Sequence, residues 1–213
     1  MRIFISLFTT ILFLAVAFSA VAASESAERA GASQSQPAVF VQKLGDTALM
    51  SLTAKNVSRT TREKRVREIL QNNFDIRTIG KFALGTHWKS ASETQRMEYM
   101  NLFEDMIVQT YTTRFEDYSG QQLKVDGSVS SGEKDFIVAS QVLQKDGPPV
   151  NLEWRVRNNE GMLRIVDVVV EGVSMSVTQR SDFSAVIQRN GGSIDALLTS
   201  LRERKKSAAR QKI

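Results

Sequence analysis

The hydrophobic period of this chain changes from helical to alternating at Gly120, and that switch limits the folds open to it. Before Gly120, apolar residues recur at three- and four-residue steps, the spacing of helices with one buried side. Val41, Leu44, Ala48 and Leu52 follow Pro37, which suits a first helical turn. Thr60-x-x-Glu63 reads as a capping box opening a second helix with Val66, Ile69 and Leu70 on its apolar side. Asp75 caps a short third helix carrying Ile76, Ile79 and Phe82, with Gly85 as its stop. Ser92-x-x-Gln95 opens the longest helix, whose predicted stripe is Met97, Met100, Phe103, Ile107, Tyr111, Phe115 and Tyr118.

After Gly120 the period is two. Val150, Leu152, Trp154 and Val156 alternate with Asn151, Glu153, Arg155 and Arg157, so a strand with one apolar face is expected. Neighbouring strands are expected over 121–128, 134–145 and 162–170, separated by Ser131-Gly132, Asp146-Gly147-Pro148-Pro149 and Asn158-Asn159-Glu160-Gly161. Such short connections dictate an antiparallel meander. Two further helices, 176–189 and 193–204, are divided by Gly191-Gly192. The reading is an α+β domain: N-terminal helices, a four-stranded antiparallel curved sheet with one face covered, and two C-terminal helices.

The stretch "VVVEGVSMSVTQRSDF" (168–183) poses a problem within this scheme. A β-branched run meets Glu171-Gly172, yet Val173 and Met175 stay apolar in what reads as a loop at the sheet edge. Gly172 permits a sharp turn there. Strand phase is a second problem. If Leu163 and Ile165 face inward, strict alternation turns Val169 inward and Val168 and Val170 outward, unless a bulge intervenes.

The N-terminus is a different kind of segment. Arg2, the apolar run to Phe18 and Ala20-Val21-Ala22 read as a secretory signal peptide over 1–22, an uncleaved anchor being the disfavoured alternative. A polar arm over 23–36 would follow, then the domain over 37–206 and a basic tail over 207–213. The expectation is export, with the signal peptide removed. Net charge is +5 for the whole chain, too mild to argue for nucleic acid, and the excess gathers in Arg202, Arg204, Lys205, Lys206, Arg210 and Lys212. These read as a solvated C-terminus, with weak steering toward anionic surfaces as the functional alternative.

Chemistry is scarce. With one histidine, His87, and no cysteine, the usual metal sites and a Ser-His-acid triad lack their parts, and no phosphate-binding glycine loop or Gly-x-Ser-x-Gly elbow occurs. No cofactor is expected, and an enzyme is disfavoured. Glu104-Asp105 and Glu116-Asp117 read as solvated charge on the long helix. What remains is apolar: a long stripe rich in aromatics and methionine, which adapts to irregular apolar ligands, and the Val173–Met175 loop.

Two strings, "LGTHWKSASETQRMEYMNLFEDMIVQTY" (84–111) and "VEGVSMSVTQRSDFSAVIQRNGGSIDALLTSL" (170–201), resemble the MlaC, or toluene-tolerance (Ttg), family of periplasmic phospholipid-binding carriers. The likeness runs from about Val39 to Arg202 and includes the order of elements. It implies a deep apolar cavity between curved sheet and helices that holds two acyl chains, with the head group near the surface. It implies as partners phospholipid, an inner-membrane ABC lipid-transport complex and an outer-membrane lipoprotein–porin complex. By analogy the lipid-binding residues would be Ile79, Phe82, Phe103, Ile107, Tyr111, Leu152, Trp154, Leu163, Ile165, Val173 and Met175. A monomer is expected, and head-group selectivity should be weak, because the acyl chains would supply the binding energy and no Arg/Lys cluster at a predicted mouth contradicts this. "YTTRFEDYSGQ" (111–121) resembles a branch accompanying hopanoid biosynthesis, so a triterpenoid-associated ligand stays open. So does a non-lipid periplasmic protein-interaction module that docks through the Val173 loop.

Overall fold

A computed structural model describes residues 35–54 and 57–210. The expected signal peptide and most of the polar arm lie outside the described residues. Helix α1 (Gln36–Leu52) opens with Pro37 in its first turn. Helix α2 (Arg59–Asn73) starts earlier than Thr60-x-x-Glu63 suggests: Ser58 is the cap, its side chain accepting from the Thr61 N–H. Helix α3 (Ile76–Leu84) is capped by Asp75 and stopped by Gly85. A single turn, α4 (His87–Ser90), leads to the long α5 (Glu93–Glu116), which begins at the predicted Ser92/Gln95 capping box. The C-terminal pair is α6 (Met175–Arg189) and α7 (Ile194–Arg210).

Between them lies an antiparallel sheet in the simple order β1-β2-β3-β4-β5. Its strands are β1 (Gln122–Ser130), β2 (Asp135–Leu143), β3 (Val150–Asn159), β4 (Met162–Val170) and β5 (Val173–Ser174). The fifth strand corrects the expected four. What reads as an apolar loop is a returning strand: Val173 pairs with Val170 and Ser174 with Val169. The connecting Glu171 and Gly172 both take positive φ, 48° and 78°, the pattern of a two-residue type I′ hairpin. Glu171 is an unfavourable residue there, and it is pinned to the start of β3. Its N–H donates to the Asn151 carbonyl (3.0 Å), and its carboxylate accepts from the Asn151 N–H (2.5 Å).

The core has two parts. One forms where α1 (Ala38, Val41, Leu44) packs on Val125, Val138, Val156 and Ile165 of the sheet. The other is helical, built from α2, α3, α5, α6 and α7 around Tyr99, Phe103 and Phe183. Ile69 and Phe74 pack against both. The helical part joins the sheet along the edge of β4, where Phe74 bridges Ile165 in parallel and the Asp75 N–H donates to the Ile165 carbonyl (2.9 Å).

The long helix differs from its predicted stripe. Tyr99, Leu102 and Phe103 are buried in its first half, Val108 and Thr112 in its second, while Met97 and Tyr111 are exposed. The cause is its neighbours: α5 packs chiefly on α2 and α7, on different sides, so no single stripe is covered. Three of the acids read as solvated charge, Glu104, Asp105 and Glu116, are paired instead. Arg67 donates to Glu104 (2.6 Å) and Asp105 (2.5 Å), Lys205 bonds Asp105 (2.6 Å), and Arg59 bonds Glu116 (2.7 Å). With Arg202 paired to Glu98 (2.6 and 2.9 Å), the C-terminal helix is tied down through Arg202 and Lys205, while Arg204, Lys206 and Arg210 stay exposed on the same helix, as a solvated end would.

Candidate functional site

The register decides which strand residues share a face. Across β3 and β4, Leu152 opposes Val170, Trp154 opposes Val168, and Val156 opposes Ile165. The shift between Arg155 and Val156 leaves Val166 as the extra residue of a bulge. The bulge therefore sets Leu163, Ile165, Val168 and Val170 on one face and sends Val169 to the other. β5 continues that face, since Val173 opposes Val170. The outcome is an apolar row, Leu152, Trp154, Val168, Val170 and Val173, that is half-buried or exposed at the end of the sheet.

Two polar devices hold this row in place. The Trp154 indole Nε1–H donates to the Oγ of buried Ser140 (2.8 Å), which ties the ring to β2. On the opposite face of β4, the nearly buried Asp167 carboxylate accepts from the Ser174 hydroxyl (2.6 Å), the Ser176 N–H (3.1 Å) and its neighbour's Val168 N–H (2.9 Å). Ser174 in turn caps α6 through the Val177 N–H (3.1 Å). One carboxylate thus locks β4, the hairpin return and the first turn of α6 together, and a negative group near that helix N-terminus is stabilised by its dipole.

The eleven residues anticipated from the sequence distribute over both cores and the surface between. Phe103 (2 % exposed) stacks on Tyr99 at 5.7 Å and meets Phe183 edge-on at 6.2 Å, enclosed by protein on all sides. Ile165 (0 %) is equally enclosed in the sheet core. Ile79 and Ile107 pack partly buried against the helical core, Trp154 and Leu163 against the sheet core, and Leu152 lies on the apolar row. Phe82 (41 %), Tyr111 (37 %), Val173 (54 %) and Met175 (36 %) present apolar surface to solvent. Val168 and Val170 join the row unanticipated, because only the bulge brings them to that face. Asp167 was also missed, although its signal is plain: an acid inside the run Ile165–Val170.

Two surface hollows lie away from this row. One of about 510 Å³ is polar, lined by Ser131–Asp135, Arg157 and Asn159, with Arg157 tied to Asp135 (2.7 Å twice). The other, about 320 Å³, sits beside the β3–β4 turn, and of the anticipated residues Leu163 lines it. Among the described residues, no group of side chains has the makings of a metal site, and no helix is long and apolar enough to cross a membrane.

Comparison with known proteins fits this architecture. The sequence model of the family described as "MlaC protein" matches residues 42–203. The chain is 25 % identical over 204 residues to the intermembrane phospholipid transport system binding protein MlaC of Haemophilus influenzae, covering 92 % of this chain and 91 % of that one. It is 23 % identical over 107 residues to toluene tolerance protein ttg2D of Pseudomonas putida, half of each chain. Among solved structures, the phospholipid-binding protein of Ralstonia solanacearum in complex with a phospholipid superposes with a TM-score of 0.71 at 22 % identity. That match spans 82 % of this chain and 99 % of that one, and it shows a shared fold.

Proposed function

The chain belongs to the MlaC family, and on that premise we propose that it is a soluble periplasmic carrier, not an enzyme, that binds a phospholipid by its acyl chains. It would shuttle this lipid between an inner-membrane ABC complex and an outer-membrane lipoprotein–porin complex. The observation that carries the reading is apolar surface left uncovered at the end of the sheet and on α5. The row Leu152–Trp154–Val168–Val170–Val173 and the half-exposed Ile107 and Tyr111 of α5 are apolar surfaces that do not pack on each other, because α5 takes α2 and α7 as its main neighbours. Acyl chains would occupy that unfilled apolar surface, with Ile79, Phe82 and Met175 completing the wall and with Phe103 and Ile165 as the solid backing behind it.

The energetics demand such a surface. Each methylene transferred from water is worth ~0.8 kcal/mol, so two long chains resist leaving a membrane by on the order of 20 kcal/mol or more. A carrier must offset most of that by burial, which calls for an apolar surface between helices and sheet that hydrocarbon can cover. We further propose that residues 1–22 are removed on export, which the N-terminal mass of the secreted protein would report. Native mass spectrometry of protein purified from its own host tests the function. A bound phospholipid is expected, a triterpenoid would shift the ligand class, and an empty protein would favour a protein-interaction module.

A further inference from the structure

Among the described residues, three arginines lie over aromatic rings, and of these Arg180 is the one that is half-sheltered with no hydrogen bond, Arg96 being bonded to carbonyls and Arg114 exposed. Arg180 lies on the second turn of α6 with its guanidinium 5.3 Å from the centre of the Phe82 ring. Gly85 leaves room for it: a Cβ at that position would come within 2.8 Å of the Arg180 Nε. Among the described residues Arg180 has no hydrogen bond and no carboxylate partner, unlike Arg67, Arg157 and Arg202, each of which is paired. It is only partly exposed, so this half-sheltered charge is held in position by an aromatic face and a missing side chain and not by an acid. The apolar side chains around it are the exposed ones: Phe82 beneath it and Val177 (55 %) one turn before it, at the helix start that also carries Val173 and Met175.

We propose that Arg180 binds the phosphate of the carried lipid, so that the site selects phosphodiesters over uncharged lipids with the same chains. The inference rests on the carrier reading above and adds to it what the sequence leaves out, a polar determinant at the mouth. A planar, permanently charged fork suits phosphate oxygens, and stacking on Phe82 pre-orients it, so little side-chain freedom is lost when the anion arrives. The rest of the lipid would follow from this anchor, its chains running from Phe82 toward the apolar row.

The test uses delipidated full domain, offered phosphatidylglycerol and diacylglycerol with identical acyl chains in competition, with bound lipid counted by native mass spectrometry. Wild type is expected to favour phosphatidylglycerol about tenfold, the scale of one charge-assisted hydrogen-bonded contact. R180Q should bind the two alike while holding diacylglycerol as well as wild type does, and R180K should keep part of the preference. An R180Q protein with the wild-type ratio overturns the proposal. Loss of both lipids together with a lowered melting midpoint also overturns it, since that marks a packing role only. If wild type retains neither lipid, the carrier reading itself fails, an outcome distinct from both.

Discussion

Replacing Val173 with Glu separates the fold from the site. Val173 is 54 % exposed and its backbone pairs with Val170, an arrangement glutamate can also adopt. The lipid-free domain should therefore lose no more than about 1 kcal/mol, the span of strand preference at an exposed position. Lipid-loaded protein is a different case, because acyl methylenes laid along the row would cover this position. The least costly way to bury the new carboxyl is to protonate it first. From an ordinary value near 4.3, that costs about 3.7 kcal/mol at pH 7, roughly 500-fold in affinity. At pH 5 the same protonation costs about 1 kcal/mol, so the deficit should shrink to about sixfold. The assay is lipid retention by native mass spectrometry at both pH values, with circular dichroism confirming the fold. Full retention at pH 7 by a folded variant would refute the placement of acyl chains on the β5 end of the sheet. Equal loss at both pH values would show that shape, not charge, was disturbed.

Phe103 lies behind the proposed wall and not on its surface, so F103A should lower the stability of lipid-free protein by about 3–5 kcal/mol in urea unfolding; a loss under 1 kcal/mol would mean the ring already borders empty space. D167A removes the acceptor shared by Ser174 and Ser176. About 2–3 kcal/mol of stability should go, with amide exchange speeding first over 173–180. Acid should loosen α7. Burial alone would raise the Asp105 carboxyl, but hydrogen bonds from Lys205 and Arg67 outweigh it and hold it below the usual range. That contribution is complete above the unfolded value near 3.9 and is lost as pH falls through the lower folded one, so the urea midpoint should drop below about pH 4 and drop less in D105N.

Sequence reasoning succeeded where the cause is local. The Ser92/Gln95 box and the Asp75 cap bond their own helix within three residues, so the pattern and the structure coincide. It failed where the deciding partner is distant. Thr60-x-x-Glu63 matched a capping box, but Ser58 caps instead, and the next turn is fixed by Arg62 and Arg65 donating to the Leu52 and Ser51 carbonyls of the preceding helix. Arg202 and Lys205 looked solvated because their partners Glu98 and Asp105 are about a hundred positions away. The bulge at Val166 has no local marker, yet it decides that Val168 and Val170, not Val169, extend the apolar row.

Those distant polar contacts bear directly on the site. A helix as apolar as α5, left to itself, would be expected to settle on the nearest apolar sheet face. Here Glu98, Glu104, Asp105 and Glu116 bind it from one end to the other, to Arg202 and Lys205 of α7 and to Arg59, Arg62 and Arg67 of α2. Each such pair alone contributes little at a partly exposed position, but pairs distributed along the helix fix its orientation. With α5 turned toward α2 and α7, its Ile107 and Tyr111 and the Leu152–Val173 row lack each other as partners. On the proposed carrier reading, these acids would act by geometry, holding α5 on α2 and α7 and away from the apolar surface that a lipid would need.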